Sequence, residues 1–322
     1  MEGLLLFGGS GYIGSNLAIG LKNDYNIIII DKVPQPEWFD GEYFQQDLTV
    51  PHLTIQPKQK AKFAIILAAL KDVVEGEEQP YDYCRDNINI AINSIELCES
   101  LGIKNILFVS SCAVYHTPSS CANPPLSFKE TDTQTGELPL GIYGFTKKAT
   151  EDVVTALANS KKDVRVALLR YANLMGSVSS HRLFPKAGVV AVLAKRPKEF
   201  YQRGDGLRDY IDVKDLVEMH RLLLKRWDET FIVASLHIGI KNPLVFNFGT
   251  GVITATSDIV NMFREVSEEE ETTFNTKVVH VPKPRFEALL GCTNMTFFKT
   301  MFPDWSPQHS IRESIKDYIK RF

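Results

Sequence analysis

Tyr143 and Lys147, in "YGFTK", stand four residues apart where a helical pattern begins, so both lie on one helix face. Such a pair is either a solvated first turn or a proton-transfer device. A free phenol, with a pKa of about 10, is a poor base at neutral pH. A neighbouring ammonium favours the phenolate. Bringing that pKa from about 10 to about 7 is worth about 4 kcal/mol of differential stabilisation. Ser110-Ser111 follows the apolar run Asn105–Val109 one strand–helix unit earlier, and a serine hydroxyl there can orient the substrate oxygen whose proton is taken.

Gly8, Gly11 and Gly14, in "LLLFGGSGYIGSNLAIGL", supply what a dinucleotide site requires. The backbone must approach a pyrophosphate closely, with free N–H groups at a helix N-terminus, and Gly14 would let that helix lie close to the strand. Glycines serving only a tight turn would look alike in isolation. Here they follow a strand, open a helix and precede "IIIIDK", with Asp31 at the next strand end. A carboxylate there suits the ribose diol of NAD and repels the extra phosphate of NADP, although Lys32 follows directly. Asp47, in "QQDLT", fits either an adenine amino group or a strand-end turn, and "LAALK" brings small residues to another strand end. The positive ring of an oxidised nicotinamide would add to Lys147 in acidifying Tyr143.

The elements that must position these residues alternate. Leu4–Phe7, Asn26–Ile30, Phe63–Leu67, Asn105–Val109 and Val164–Leu169 predict strands, and Asn87–Leu101 and Lys147–Ala158 predict helices. This order implies an α/β fold, a Rossmann-type doubly wound parallel sheet, with a smaller C-terminal α/β substrate-binding domain. Residues 1–174, with return segments about 209–247, would form the NAD-binding domain, and 175–322 mainly the substrate domain. Beyond residue 175 a loop leads into a helix ending near Lys195. "FYQRGDGLRDYIDVKDL" reads as strand, turn and helix start, "LVFNFGTG" as a strand, and Ser310–Phe322 as a terminal helix. "SEEEE", residues 267–271, reads as a solvated loop or helix end.

Composition narrows the function. The 322 residues are 44% hydrophobic and 23% charged with a net charge of −3, ordinary for a soluble globular chain and unlike a dedicated nucleic-acid binder. There is no membrane-length apolar run, and the apolar N-terminus ends in glycines as a buried strand would. Five irregularly spaced cysteines match no disulfide or metal pattern, which points to a reduced, cytoplasmic protein without a metal site.

In their order and spacing, GGSGYIGSN, Asp31, Asp47, AALK, Asn87 in "DNINI", SSCAVY, YGFTK, RYANLMG, GDGLRDYIDVKDL and FNFGTG resemble the extended short-chain dehydrogenases/reductases. Within them the chain is most similar to the NAD-dependent sugar-nucleotide epimerase/dehydratase group, over nearly its whole length. The resemblance makes Ser111 the catalytic serine, Tyr143 the base and Lys147 its partner. It assigns Gly8, Gly11, Tyr12, Ile13, Gly14, Asp31, Asp47, Leu48, Ala68, Ala69, Lys71, Asn87, Ser110, Tyr143, Lys147 and Tyr171 to NAD. Lys71, Ser111, Tyr143, Asn173, Arg182, Arg208, Arg285 and Cys292 fall to the nucleotide sugar. It also implies a homodimer, with Asn87–Leu101 and Lys147–Ala158 as candidate contacts.

The group oxidises a sugar hydroxyl at C4 and then diverges. Its dehydratases place an acid pair after the catalytic Ser or Thr, whereas Cys112-Ala113 follows Ser111 here. Elimination therefore lacks its acid and base, and epimerisation or simple reduction remains; the resemblance implies C4 epimerisation of a UDP-hexose or UDP-N-acetylhexosamine. The alternatives are a sugar-nucleotide 4-ketoreductase and, with less support, a non-catalytic NAD-sensing relative. Cys112 reads as a small buried residue rather than a catalytic thiol. Arg208 and Arg285 suit a pyrophosphate through their planar forks. Cys292 falls where a small residue would admit an N-acetyl group. Phe200 and Tyr201 either flank the base or form an ordinary strand. Three departures bear on the substrate: His181-Arg182 where the family has paired asparagines, a shortened preceding loop, and Glu287-Ala288 after Arg285.

Overall fold

Leu4 and Leu6 of the first apolar run face one layer of helices, and Leu5 and Phe7 face the other. An alternation that is apolar on both sides makes a strand buried on both faces. The computed structural model describes residues 1–115, 127–134, 138–161, 163–178, 188–239, 242–284 and 290–321.

Along the chain run β1 (Glu2–Phe7), β2 (Tyr25–Asp31), β3 (Glu42–Gln45), β4 (Ala61–Ile66), β5 (Asn105–Ser111) and β6 (Arg165–Tyr171). There follow β7 (Asn173–Met175), β8 (Glu199–Arg203), β9 (Leu207–Asp212) and β10 (Leu244–Phe248). The last are β11 (Ile253–Ala255), β12 (Lys277–Val281) and β13 (Leu290–Gly291). The helices are α1 (Tyr12–Leu21), α2 (Val73–Glu78), α3 (Pro80–Ser100), α4 (Gly141–Asn159) and α5 (Val189–Ala194). They continue with α6 (Val213–Lys225), α7 (Trp227–Val233), α8 (Thr256–Glu269), α9 (Thr296–Met301) and α10 (Ile311–Arg321).

Seven strands form one sheet in the order β10-β6-β5-β4-β1-β2-β3, parallel throughout. The order reverses between β1 and β4, and a crevice opens at such a switch point beyond the strand C-termini. Leu17 and Leu21 of α1, Met219 and Leu223 of α6, and Trp227 of α7 cover one face. Ile90 and Ile95 of α3, with Val154 and Ala158 of α4, cover the other. This is the doubly wound α/β architecture that the sequence implies.

Beyond the crevice lies a smaller layer. β8 pairs with β12, and β9 joins β7, β11 and β13 in a second small sheet. Val190, Leu193, Ile259, Phe263 and Ile315 of α5, α8 and α10 form its own core. The chain then returns: Met295, Phe298 and Trp305 pack back into the large-sheet core.

Three details differ from the sequence-based expectation. α3 and α4 start earlier, at Pro80 and Gly141 rather than Asn87 and Lys147, and proline suits a first helical position. The strand–helix alternation lapses between β2 and β3, where Pro34 and Pro36 disfavour a helix and Trp38 and Phe39 pack against the core instead. β3 itself is too short and too half-buried to stand out as an apolar run. The acidic run is a helix end, as read: α8 stops at Glu269, and Glu270 pairs with Lys316 at 2.6 Å. No described helix is long and apolar enough to cross a membrane.

Candidate active site

A cleft of about 700 Å³ opens over the C-terminal edge of the sheet. Its wall brings together Tyr12, Ile13, Ala69, Lys71, Ser110, Ser111, Tyr143, Lys147, Tyr171, Asn173 and Arg208, which the sequence scatters over almost 200 positions.

The cofactor end is built on the glycine turn. Gly8 leaves β1 with φ +81°, and a Cβ on it would come within 2.9 Å of the Ala68 backbone. A Cβ on Gly14 would lie 2.5 Å from the Gly8 carbonyl oxygen, so only glycine lets α1 sit this close to the turn. α1 begins behind Gly11 without a side-chain cap, which leaves its first N–H groups in need of an acceptor. Asp31 holds the turn from the next strand, accepting from the Ser10 N–H at 2.9 Å and the Val33 N–H at 3.3 Å. Tyr43 braces this edge: its hydroxyl donates to the Val33 carbonyl at 2.6 Å and accepts from the Ser10 hydroxyl at 3.0 Å. At the inner end the Ser110 hydroxyl is buried without a protein partner while its residue lines the cleft. An uncapped helix start, a cradle that any Cβ would fill, a carboxylate at the end of the next strand and an orphaned buried hydroxyl fit a dinucleotide of the NAD type.

Ser111 ends β5, and its hydroxyl accepts from the Ala113 N–H at 3.2 Å. Tyr143 and Lys147 lie one turn apart on α4, as their spacing predicts. Lys147 is 6% exposed, and its ammonium donates to the Val109 carbonyl at 3.1 Å. Burial pushes the Tyr143 phenol up to about 12, the Ser111 hydroxyl draws it back, and the Cys112 thiol raises it. In the protein alone desolvation is the largest influence on the phenol, whereas the expected acidification joins Lys147 to an oxidised nicotinamide ring. Burial lowers Lys147 to about 8, against an opposing pull from Glu151.

Tyr171 lines the cleft with its hydroxyl turned away, 2.7 Å from His220 Nε2. His220 Nδ1 lies 2.8 Å from the Leu216 carbonyl, which can only accept, so Nδ1 carries the proton and Nε2 accepts from Tyr171. Burial lowers His220 to about 4, which keeps the ring neutral. Asn173 donates to the Asp209 carbonyl at 3.1 Å. Arg208 passes between Gly206 and Gly291, where a Cβ would meet its side chain at 3.3 and 3.4 Å. The buried Asp209 carboxylate accepts from the Thr250 N–H and hydroxyl, the Gly251 N–H and the Thr293 hydroxyl, and so anchors Arg208 from behind.

Asn87 does not line the cleft as expected. Its amide is buried, accepting from the Leu70 N–H at 2.8 Å and donating to the Leu70 carbonyl at 3.3 Å. Cys292 also departs from expectation: it is 1% exposed and packed with Val114, Tyr115 and Phe128, so its size does not shape the cleft wall. Asp47 makes the strand-end turn, accepting from the Thr49 N–H at 2.9 Å, and Leu48 is a core residue. Ala68 donates its N–H to the Phe7 carbonyl at 3.0 Å, which holds the two strand ends together. Cys112 is half-buried at the edge of the Cys292 cluster. Phe200 and Tyr201 both line the cleft, the first buried and the second exposed. Arg182 and Arg285, like His181, Glu287 and Ala288, lie outside the described residues.

Fold and site together define a dinucleotide-dependent protein with a Ser-Tyr-Lys set at the sheet's switch-point edge. The chain belongs to the NAD dependent epimerase/dehydratase family, whose model matches residues 4–239. It is 29% identical over 301 residues to the UDP-glucose 4-epimerase of Bacillus subtilis (strain 168), covering 83% of each chain. It is 28% identical to the Caenorhabditis elegans UDP-glucose 4-epimerase, covering 90% of this chain and 89% of that one. In three dimensions it matches a UDP-glucose-4-epimerase from Stenotrophomonas maltophila, solved with NAD and formylated UDP-arabinopyranose. That match has a TM-score of 0.79 at 21% identity, over 100% of this chain and 98% of the other.

The sequence reading missed Tyr43, Asp209 and the buried pair Arg170–Glu151, whose guanidinium and carboxylate meet at 2.7 Å. A signal for that pair existed: an arginine inside the apolar run "VALLRYA" must find a buried anion. Tyr43 and Asp209 carried none, because their partners are backbone groups and hydroxyls distant in sequence.

Proposed function

We propose that this protein is an NAD-dependent nucleotide-sugar 4-epimerase acting on a UDP-hexose or UDP-N-acetylhexosamine. The observation that carries the reading is Ser111, Tyr143 and Lys147 on one cleft wall, with Cys112-Ala113 rather than carboxylates after the serine. Tyr143 removes the proton from the sugar O4 while the Ser111 hydroxyl orients that oxygen. The Gly8–Gly14 turn and Asp31 would hold NAD, which when bound would supply the hydride acceptor and donor and, oxidised, a positive ring favouring the phenolate. Arg208 grips the pyrophosphate through its fork. The 4-keto sugar turns in the cleft between the two half-reactions, so the nucleotide must be held more tightly than the sugar. Tyr143 then returns its proton to the oxygen on the inverted centre.

In the same reading, residues 1–174 with later returns serve the cofactor and the rest mainly the substrate. The exposed Tyr81 and Ile92 on α3 and Phe145 on α4 support a homodimer through those helices. The free thiols of Cys84, Cys98, Cys112 and Cys292 suit a reducing cytoplasm.

Product NMR on a small panel of UDP- and GDP-sugars tests the reaction. The 4-epimer should accumulate without added NADH, whereas a ketoreductase would consume NAD(P)H stoichiometrically. Unchanged sugar after long incubation, despite demonstrable cofactor binding, would overturn the reading.

A pH effect follows from Lys147. Its ammonium persists below about 8, so kcat should fall as the pH rises through that value. Its contribution to stability has the opposite sign. Between about 8 and about 10.4 the unfolded chain keeps a proton that the folded chain has released, so stability gains with pH. The thiols of Cys98, Cys112 and Cys292, all raised by desolvation, work against that gain. Urea unfolding of wild type and Lys147→Met across this window isolates the lysine. A difference that does not change with pH would rule out the depressed lysine.

A further inference from the structure

The helix that carries Tyr143 starts without a cap of its own. Leu140 has the extended backbone of an N-cap, φ −77° and ψ 133°, but its side chain cannot accept a hydrogen bond. The first turn of α4 holds no acidic residue either. Helix-leading N–H groups need acceptors, and here one is supplied from elsewhere. The Ile142 N–H donates to Glu77 Oε1 at 2.7 Å, across 65 residues of chain.

Glu77 lies on α2, a short helix with a sound start. Asp72 caps it, accepting from the Val74 and Glu75 N–H groups at 2.9 and 3.1 Å. α2 packs close to α4 at Gly76, where a Cβ would make ordinary contact with the Tyr83 ring at 3.4 Å and Ile142 Cβ at 3.6 Å. The chain just before α2 carries Lys71 on the cleft wall, and Asn87 grips Leu70 by both its N–H and its carbonyl. Lys71 and Tyr143 thus stand on two segments of different origin, and the Glu77–Ile142 bond joins them.

We propose that Glu77 is a positioning residue for Tyr143, capping α4 in trans and fixing the phenol relative to Ser111 and Lys71. The inference rests on the epimerase reading for the role of Tyr143. A carboxylate at this place also favours the positive end of the helix dipole. Without it the first turn frays, and Tyr143 is its third residue. A misplacement of about 1 Å at a reacting group can cost about a hundredfold in rate.

Three variants and two readouts test this. Glu77→Ala should lower kcat about tenfold and leave KM for the nucleotide sugar unchanged, because Arg208 and Asn173 lie on other elements. Its Ile142 and Tyr143 amides should exchange with solvent faster than in wild type. Glu77→Gln keeps an acceptor oxygen and should stay within about threefold of wild type. Adding Leu140→Asp to Glu77→Ala supplies a local acceptor for the Ile142 or Tyr143 N–H and should restore both rate and amide protection. Wild-type kcat and exchange in Glu77→Ala would overturn the proposal. So would a loss that Leu140→Asp fails to repair. An inactive wild type would sink the epimerase reading, while the exchange measurement would still decide the cap by itself.

Discussion

Tyr143→Phe should lower kcat by about 10²- to 10⁴-fold, the range expected when a general acid–base is removed. The substitution deletes one oxygen and keeps the ring, so α4 and its packing should persist. KM should change little, because the pyrophosphate grip assigned to Arg208 is on β9 and the cofactor turn on the far side of the cleft. The loss should appear at every pH, since phenylalanine carries no proton to exchange. Lys147 donates to the Val109 carbonyl, and the Ser111 hydroxyl accepts from the Ala113 N–H. Burial that holds the phenol near 12 makes the point sharper. In the protein alone burial favours the neutral phenol, and a bound cation would favour its ionisation. Steady-state kinetics on the accepted nucleotide sugar, with bound cofactor checked by fluorescence, would measure the effect. Undiminished turnover in Tyr143→Phe would remove the base from the mechanism.

The parts of this molecule that sequence made legible are those that local rules dictate. Leu4–Phe7 and "IIII" could only be strands, the glycines could only follow β1, and helical spacing alone put Tyr143 and Lys147 on one face. Whether a side chain lines a cleft or supports one is a different matter. Asn87 and Cys292 sit where family resemblance expects wall residues, yet the first turns to the Leu70 backbone and the second into a small apolar cluster. Their neighbours decide this, and those neighbours are distant in sequence. The same holds for the phenol's acidity. Spacing brought a cation to within one helical turn, but only the folded environment shows that the ammonium donates to the Val109 carbonyl and that burial holds the phenol up in the protein alone.

Arg170→Met should destabilise the protein by about 3–5 kcal/mol, the usual cost of breaking a buried ion pair by removing one partner. Arg170 and Glu151 are each 3% exposed. An arginine has five N–H donors, and here each has an acceptor. Nε and one Nη2 hydrogen reach the two Glu151 oxygens at 2.9 and 2.7 Å, and the other goes to Thr133 at 3.1 Å. Nη1 serves the Glu130 carbonyl at 2.7 Å and the Tyr115 hydroxyl at 3.2 Å. Methionine fills the volume but strands a carboxylate and takes a donor from the Glu130 carbonyl and the Thr133 and Tyr115 hydroxyls, of which Tyr115 keeps its bond to Asn247. The carboxylate matters most, because Glu151 lies one helical turn beyond Lys147 and raises its pKa. Freed from the guanidinium, that charge should act on the lysine more strongly and move the alkaline fall in kcat upward in whatever fraction remains folded. Arg170→Met with Glu151→Leu removes both charges and should recover most of the stability. It should also lower the pH at which activity is lost, since the lysine then keeps only its desolvation. Urea unfolding of the three proteins gives the first result and their pH–rate profiles the second. A double variant no more stable than the single one would show that the pair's packing, rather than its charge balance, holds this part of the fold together.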